Sequence, residues 1–336
     1  LEADAVKQLR IGIVGCGRRA RAHASRLVHL AEADVVACAD VHQEVAEQLA
    51  ADLRSVREGS QTQVCTDLPE LLKRTRPEAI AVFTPHRFHY PLVMEALQAG
   101  CHVFVEKPIS TVPQEAEDIS RMARSRNRVV GVGHQYRLYP SLLEARRRLE
   151  LEEIGRIDLI VATLAQPWLN NHQGPADAWR LDPRVSGGGL LADAGDHLLD
   201  ALIWLARDLP AEVAAFQKCH NPGLDVVTAA IVRLSGGALA TLGLSALQPA
   251  ETFELEFHGS KGHLVVSDRG LKIRLGQDEM RSIPLPEPKS SIDADFVRAA
   301  LQETEPCCPA VDAVETVRLL EAIARSAATG QVIKRD

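Results

Sequence analysis

The 336-residue sequence predicts two α/β domains, the first doubly wound around a parallel sheet and the second carrying a large, open, mostly antiparallel sheet. Three observations carry that expectation. Short apolar runs alternate with amphipathic stretches over the first ~130 residues, the rhythm of β-α-β units. A glycine turn joins the first apolar run to the first amphipathic stretch. Beyond Gly133 the rhythm gives way to strand-like runs separated by Gly or Pro. Length agrees, because single cores stop growing near ~250–300 residues. The domains are placed at 1–132 and 133–336, with the last helices free to return to the first domain.

In the first domain the apolar runs Arg10–Val14, Asp34–Ala39, Ala79–Phe83, His102–Val105 and Val129–Val132 predict strands. Between them Ala20–Leu30, Val45–Leu53, Leu68–Arg74, Pro91–Ala99 and Gln114–Arg124 carry helical periodicity. Gly100, directly after Ala99, reads as a helix C-terminal glycine. In the second domain a helix (Ser141–Leu149) leads to a strand (Arg156–Thr163) and an irregular Trp/Pro/Asn-rich stretch from Gln166 to Gly189. A long apolar helix, Leu190–Leu205, follows. Strands are expected at Glu212–Gln217, Val226–Leu234, Ala238–Ser245, Glu251–His258, His263–Val266, Leu271–Leu275 and Met280–Ile283. Two helices, Asp293–Gln302 and Val311–Thr329, close the chain.

Composition excludes several classes. A hydrophobic fraction of 46% with 25% charged residues is that of a globular protein. The formal net charge of -7 gives no reason to expect nucleic acid or anionic membrane as a partner. No apolar stretch approaches the ~20 residues that cross a bilayer, so a soluble protein is expected. The 7 cysteines include no Cys-x-x-Cys pair and two that are adjacent, which argues against a zinc site or disulfide framework and for a reducing, cytoplasmic setting. Since the sequence opens at Leu1, its residues are equally compatible with a leader having been removed.

The run Ile11-Gly12-Ile13-Val14-Gly15-Cys16-Gly17-Arg18-Arg19-Ala20 reads as a strand entering G-x-G-x-x-A. A dinucleotide pyrophosphate lies against backbone N–H groups at a helix N-terminus, where the helix dipole favours its charge. Gly15 permits the tight turn, Gly17 lets backbone approach phosphate, and Ala20 lets helix and strand pack closely. Asp40, at the end of the second strand, is the acid this fingerprint expects about 20 residues on. Its carboxylate suits two ribose hydroxyls and repels a 2′-phosphate, so NAD is expected over NADP by at least about tenfold, roughly 1.4 kcal/mol.

Two further segments supply chemistry. The strand before Glu106-Lys107-Pro108 ends where ligands of open parallel sheets collect. In Gly187-Gly188-Gly189-Leu190-Leu191-Ala192-Asp193-Ala194-Gly195-Asp196-His197, Asp193 and His197 stand four apart and share a helix face. An Asp beside an imidazole fixes its tautomer, as a general base requires. Read as metal ligands, the pair would need a third ligand, and no other cluster at ligand spacing is visible, so no metal is expected.

Together these segments resemble the glucose–fructose oxidoreductase / inositol dehydrogenase / rhizopine-catabolism (Gfo/Idh/MocA) family along nearly the whole chain. The likeness includes the glycine turn, Thr84-Pro85-His86-x-x-His89, Glu106-Lys107-Pro108, Tyr136-Arg137, Trp179-Arg180-Leu181-Asp182-Pro183 and the Gly187–Asp200 segment. The resemblance implies a Rossmann domain, an α/β domain whose open sheet serves assembly into homodimers or homotetramers, and a cis Lys107–Pro108 bond. It implies that Lys107, Asp193 and His197 surround the reacting carbon. Glu106 would contact the nicotinamide ribose, while Thr84, Pro85, His86, Trp179 and Arg180 would border the nicotinamide end. Lys107, Gln135, Asp193 and His197 would meet the substrate. His86 and Gln135 stand where the family often has asparagine, which leaves the substrate open.

The chemistry expected is hydride exchange between nicotinamide and a secondary alcohol or ketone of a sugar, sugar acid or cyclitol. Either His197 or Lys107 would take the hydroxyl proton, and the nitrogen-rich stretch Gln166–Arg180 would meet polyol hydroxyls. Two rival readings are an NAD-retaining glycoside hydrolase with transient redox and a non-catalytic NAD(H)-binding regulator.

Overall fold

The computed structural model describes residues 7–57, 59–267, 269–288 and 290–335. The chain divides into two compact units. The first comprises residues through Ser110, Gln114–His134 and Ser290–Val314; the second comprises Thr111–Pro113, Gln135–Lys289 and Glu315 onward.

In the first unit the strands are β1 (Leu9–Val14), β2 (Ala33–Ala39), β3 (Gln63–Cys65), β4 (Ala79–Val82), β5 (His102–Val105) and β6 (Val130–Val132). All pair in parallel, in the order β3-β2-β1-β4-β5-β6. Helices α1 (Arg18–Leu27), α2 (Gln43–Val56), α3 (Leu68–Thr75), α4 (His89–Gln98) and α5 (Pro113–Ser125) link them. A parallel sheet covered on both faces needs apolar side chains throughout, and β4 and β5 are buried at every residue. The edge strand β3, with three residues and one buried, is too short to show a period in the sequence. Gly100 follows α4 at φ 85°, the left-handed conformation expected of it.

The second unit opens with α6 (Pro140–Glu150) and β7 (Ile157–Ala165), then the short helices α7 (Trp168–Asn171) and α8 (Pro183–Ser186) with a 3₁₀ segment, Pro175–Leu181, between them. A single π turn, Leu191–Gly195, runs into α9 (Asp196–Ala206). The expected uninterrupted helix Leu190–Leu205 is therefore widened in its first turn, where the Gly195 amide reaches back to the Leu190 carbonyl. The strands that follow are β8 (Pro210–Asn221), β9 (Leu224–Leu234), β10 (Leu239–Ser245), β11 (Thr252–Gly259), β12 (Gly262–Ser267), β13 (Gly270–Leu275) and β14 (Arg281–Ile283). Helices α10 (Ile292–Gln302) and α11 (Ala310–Thr329) and the strand β15 (Ile333–Lys334) complete the chain. The α10 segment belongs to the first unit, and α11 changes unit after Val314.

The nine-stranded sheet runs β14-β13-β12-β11-β7-β10-β9-β8-β15, antiparallel except where β7 meets β10. From Ala230 to Leu234, β9 alternates buried and exposed residues, the period-two signature of a sheet with one covered face. That face packs a core including Ile160, Leu198, Leu202, Val232 and Leu255. No helix among the described residues is long and apolar enough to cross a membrane.

Candidate active site

In the first unit the candidate residues gather at the carboxyl edge of the parallel sheet, where the strand order reverses between β1 and β4. Gly15 follows β1 at φ 83°. A Cβ there would come within 2.8 Å of the Phe83 and Thr84 backbone, so both conformation and space demand glycine. Gly17 begins α1, and a Cβ on it would meet nothing within 4 Å. Open ground therefore lies over the turn. Ala20 is fully buried beneath it, as close helix–strand packing requires.

The N-terminus of α1 lacks the side-chain cap that α3 and α10 of the same unit carry. Asp67 and Ser291 cap α3 and α10 with side-chain oxygens. At α1, Gly17 offers no such cap, the first turn holds no acid, and Arg18 and Arg19 are exposed. An uncapped N-terminus beside two guanidinium groups suits an anion. Asp40 accepts from the Cys16 amide at 2.8 Å and the His42 amide at 2.9 Å, which fixes its carboxylate beside the glycine turn. Each oxygen keeps a further lone pair for a hydroxyl donor. The buried Thr84 Oγ1 has no hydrogen-bond partner among the described residues. An open glycine, an uncapped helix, a fixed acid and an orphaned hydroxyl together fit a dinucleotide.

Pro85 and His86 follow Thr84, with His86 buried. The His89 ring nitrogens lie 2.8 Å from the Thr84 carbonyl oxygen and 2.7 Å from that of Pro108. His89 thus ties the loop after β4 to the loop after β5. The Lys107–Pro108 bond is cis. Lys107 is only 4% exposed, and Glu106 beside it 6%.

Glu106 sits in a buried chain of charges. One oxygen lies 2.9 Å from His23 Nε2, and the other accepts from the Lys107 amide at 3.0 Å. His23 Nδ1 lies 2.6 Å from Asp293 Oδ1, and Arg26 donates to the second Asp293 oxygen. Phe83 stacks on the His23 ring, with centroids 4.6 Å apart. Burial disfavours the imidazolium, yet hydrogen bonds to Asp293 and Glu106 outweigh it and raise the His23 pKa. Burial likewise pushes Glu106 up, but the bond and charge of His23, with Arg19 and Lys107, hold it well below the usual carboxylate range. Asp293 lies 270 residues from His23 and gives no local signal in the sequence.

In the second unit the π turn and α9 present Asp193 and His197, both buried. Asp193 Oδ2 accepts from Trp168 Nε1 at 2.8 Å and from Arg180 Nε at 3.1 Å. Arg180 also pairs with Asp177, and its guanidinium lies 4.3 Å from the Trp179 ring centroid. Tyr136, next to Gln135, stacks on His197 with centroids 4.6 Å apart and planes at 7°. Asp200 stands in a buried network: Arg137 grips it through Nε at 3.0 Å and a terminal nitrogen at 2.6 Å.

Asp225 is the positioning residue that the sequence reading missed. Buried at the start of β9, it accepts from the Gly189 amide at 2.8 Å, the Leu191 amide at 2.9 Å and Thr228 Oγ1 at 3.2 Å. These bonds anchor the glycine run to the turn carrying Asp193. A Cβ on Gly189 would lie 2.0 Å from the Asp225 carbonyl oxygen, so no larger residue fits. The available signal was an acid inside the apolar run Leu224–Val227, since buried acids are rare unless bonded.

A parallel sheet in this strand order, with a glycine turn and an acid at its carboxyl edge, defines a dinucleotide-binding α/β protein. Comparison with known proteins sharpens the class. Residues 9–134 match the oxidoreductase family model with the NAD-binding Rossmann fold, and residues 142–265 match the Gfo/Idh/MocA C-terminal domain. The chain belongs to the Gfo/Idh/MocA family of oxidoreductases.

Similar proteins include D-glucoside 3-dehydrogenase of Escherichia coli (strain K12), 29% identical over 59% of this chain and 54% of that protein. The match thus spans about half of that relative's length. Another is 1,5-anhydro-D-fructose reductase of Ensifer adhaerens, 26% identical over 79% of this chain and 82% of that protein. Among solved structures, levoglucosan dehydrogenase in complex with NADH and levoglucosan matches with a TM-score of 0.87 at 20% identity, over 98% of this chain and 100% of that one. That last likeness is one of fold.

Proposed function

We propose that the protein is an NAD-dependent dehydrogenase or reductase acting on a secondary alcohol or ketone of a sugar, sugar acid or cyclitol. One observation carries the reading. A single sheet edge bears Gly15 and Gly17 after β1, Asp40 after β2, Thr84 to His86 after β4, and Glu106 with the buried Lys107 after β5. The names of the curated relatives, which act on glucosides and anhydro sugars, support the substrate class.

NAD, when bound, supplies a nicotinamide ring that exchanges hydride with a carbon. The chain's part is to bind, orient and move a proton. Gly15, Gly17, Ala20 and Arg18 are assigned to the pyrophosphate, and Asp40 to the ribose hydroxyls. Thr84, Pro85, His86 and Glu106 are assigned to the nicotinamide end, with Trp179 and Arg180 keeping the assignment the family resemblance gives them. The proton is handled by Lys107 and His197. A buried amine stabilises a developing alkoxide, and an imidazole stacked by Tyr136 is held in one plane to take a hydroxyl proton. Asp193, fixed by Trp168 and Arg180, and Gln135 complete the substrate contacts. A second copy of the chain is the partner assigned to the outer sheet face, where Phe216, Ile231 and Leu239 are exposed.

The test begins with binding of NAD(H) and NADP(H), followed by a screen of sugars, inositols and sugar acids for absorbance change at the nicotinamide band. Lys107→Ala is expected to lower turnover at least about a hundredfold while NAD binding stays near wild type. Wild-type turnover in that variant, or NADP(H) bound as tightly as NAD(H), contradicts the assignments.

A further inference from the structure

The β11–β12 hairpin assembles a second constellation, far in sequence from every residue assigned above. In the antiparallel register His258 stands directly opposite His263, one residue pair before the Gly259–Gly262 pair that closes the hairpin. Both rings lie on the outer face, almost parallel at 15°, with centroids 4.2 Å apart. Glu256, two residues before His258, occupies the same face. One of its carboxylate oxygens lies 3.1 Å from His263 Nε2 and 3.8 Å from His258 Nε2. Two imidazole nitrogens and one carboxylate oxygen thus converge, all within 4.8 Å of one another.

We propose that Glu256, His258 and His263 form a binding site for a divalent transition-metal ion of the zinc, nickel, copper or cobalt type. A tetrahedral ion with ligands at ~2.0–2.1 Å sets neighbouring ligand atoms about 3.4 Å apart. The two carboxylate–imidazole separations straddle that distance. Two nitrogens and an oxygen match the ligand preference of these ions, whereas magnesium and calcium take six or more oxygens. Three protein ligands leave a fourth position for water.

Metal binding requires neutral imidazole, so affinity depends on pH. Arg274 stands opposite His263 on β13 and weakens the attraction for a cation. On its other side β11 meets β7, where Leu159 and Val161 face His258 and Glu256 and bring no charge. The three residues lie within eight positions of one another, and the hairpin turn brings them onto one face.

The inference does not depend on the redox reading, and the site lies on the sheet face assigned above to a second copy of the chain. Its test uses the whole chain stripped with a chelator and then titrated with zinc by calorimetry. Cobalt absorption in the visible band serves as a second readout. One equivalent of zinc per chain is expected at neutral pH. His263→Ala and His258→Ala should each weaken binding at least tenfold with folding unchanged, and Glu256→Gln should weaken it less. Binding should fade as the pH drops below the histidine range, and excess magnesium should not compete. No saturable zinc binding overturns the proposal, as does stoichiometric binding that survives the His258→Ala/His263→Ala double variant.

Discussion

Replacing His23 by alanine removes the middle of a buried chain of charges. Its two nitrogens lie 2.9 Å from Glu106 and 2.6 Å from Asp293, and both carboxylates are nearly inaccessible to water. Removing one partner of a buried ion pair costs about 3–5 kcal/mol, because the charge left behind loses its compensation. For a unit of this size that corresponds to a drop of roughly 6–20 °C in the midpoint of its transition. The pH dependence gives the sharper test. The His23 pKa is raised above its ordinary 6.5, so its stabilisation is complete below 6.5 and is lost as pH rises through the folded value. Glu106 is depressed below its ordinary 4.5, so its stabilisation is present above 4.5 and is lost as pH falls through the folded value. Wild type should therefore exceed His23→Ala by most between pH 4.5 and 6.5. The gap should narrow above that window as the imidazolium deprotonates, and below it as Glu106 in the variant takes up a proton. Thermal unfolding of both proteins from pH 4 to 9 measures this. A difference below 1 kcal/mol, or one that does not vary with pH, refutes the charge-chain account.

Other substitutions probe other parts of the architecture. Asp40→Ala removes the carboxylate assigned to the ribose hydroxyls and should raise the NAD dissociation constant about ten- to a hundredfold, roughly 1.4–2.7 kcal/mol, with a smaller change for NADP; calorimetry decides, and unchanged NAD affinity would contradict it. Asp225→Ala leaves the buried Gly189 and Leu191 amides unpaired at about 1–3 kcal/mol each. Its denaturation midpoint should fall accordingly, while Asp225→Asn, which keeps one acceptor, should lose less. Gly189→Ala should be still harder to accommodate, because its Cβ would sit 2.0 Å from a carbonyl oxygen; soluble, wild-type-stable Gly189→Ala protein would show that the close approach is not real.

Much of the fold was legible because burial writes periodicity into sequence. The strand His102–Val105 was read to the residue, and β9 and β11 to within two, since their apolar runs are bounded by turn residues. The strands β3 and β15, with three and two residues, are too short to hold a period. The π turn at Leu191–Gly195 was invisible because it changes hydrogen-bond reach without changing composition. Of the candidate site, Gly15, Gly17 and Asp40 were readable from local spacing, and the structure adds the amide bonds that fix Asp40. No local spacing marks Asp293 or links Asp225 to the site, since the imidazole and amide groups they hold lie at least 34 positions away. Such partnerships exist only once the chain has folded.

The proposed activity is hydride exchange between a bound nicotinamide and a polyol carbon. The most direct measurement offers the protein NAD together with glucosides, anhydro sugars and inositols deuterated at their secondary carbinol positions. The nicotinamide C4 position is then read by mass spectrometry and NMR. Deuterium on the reduced cofactor from at least one of these polyols, lost on Lys107→Ala, is the predicted result. Saturable NAD binding with no label transferred from any of them would contradict it.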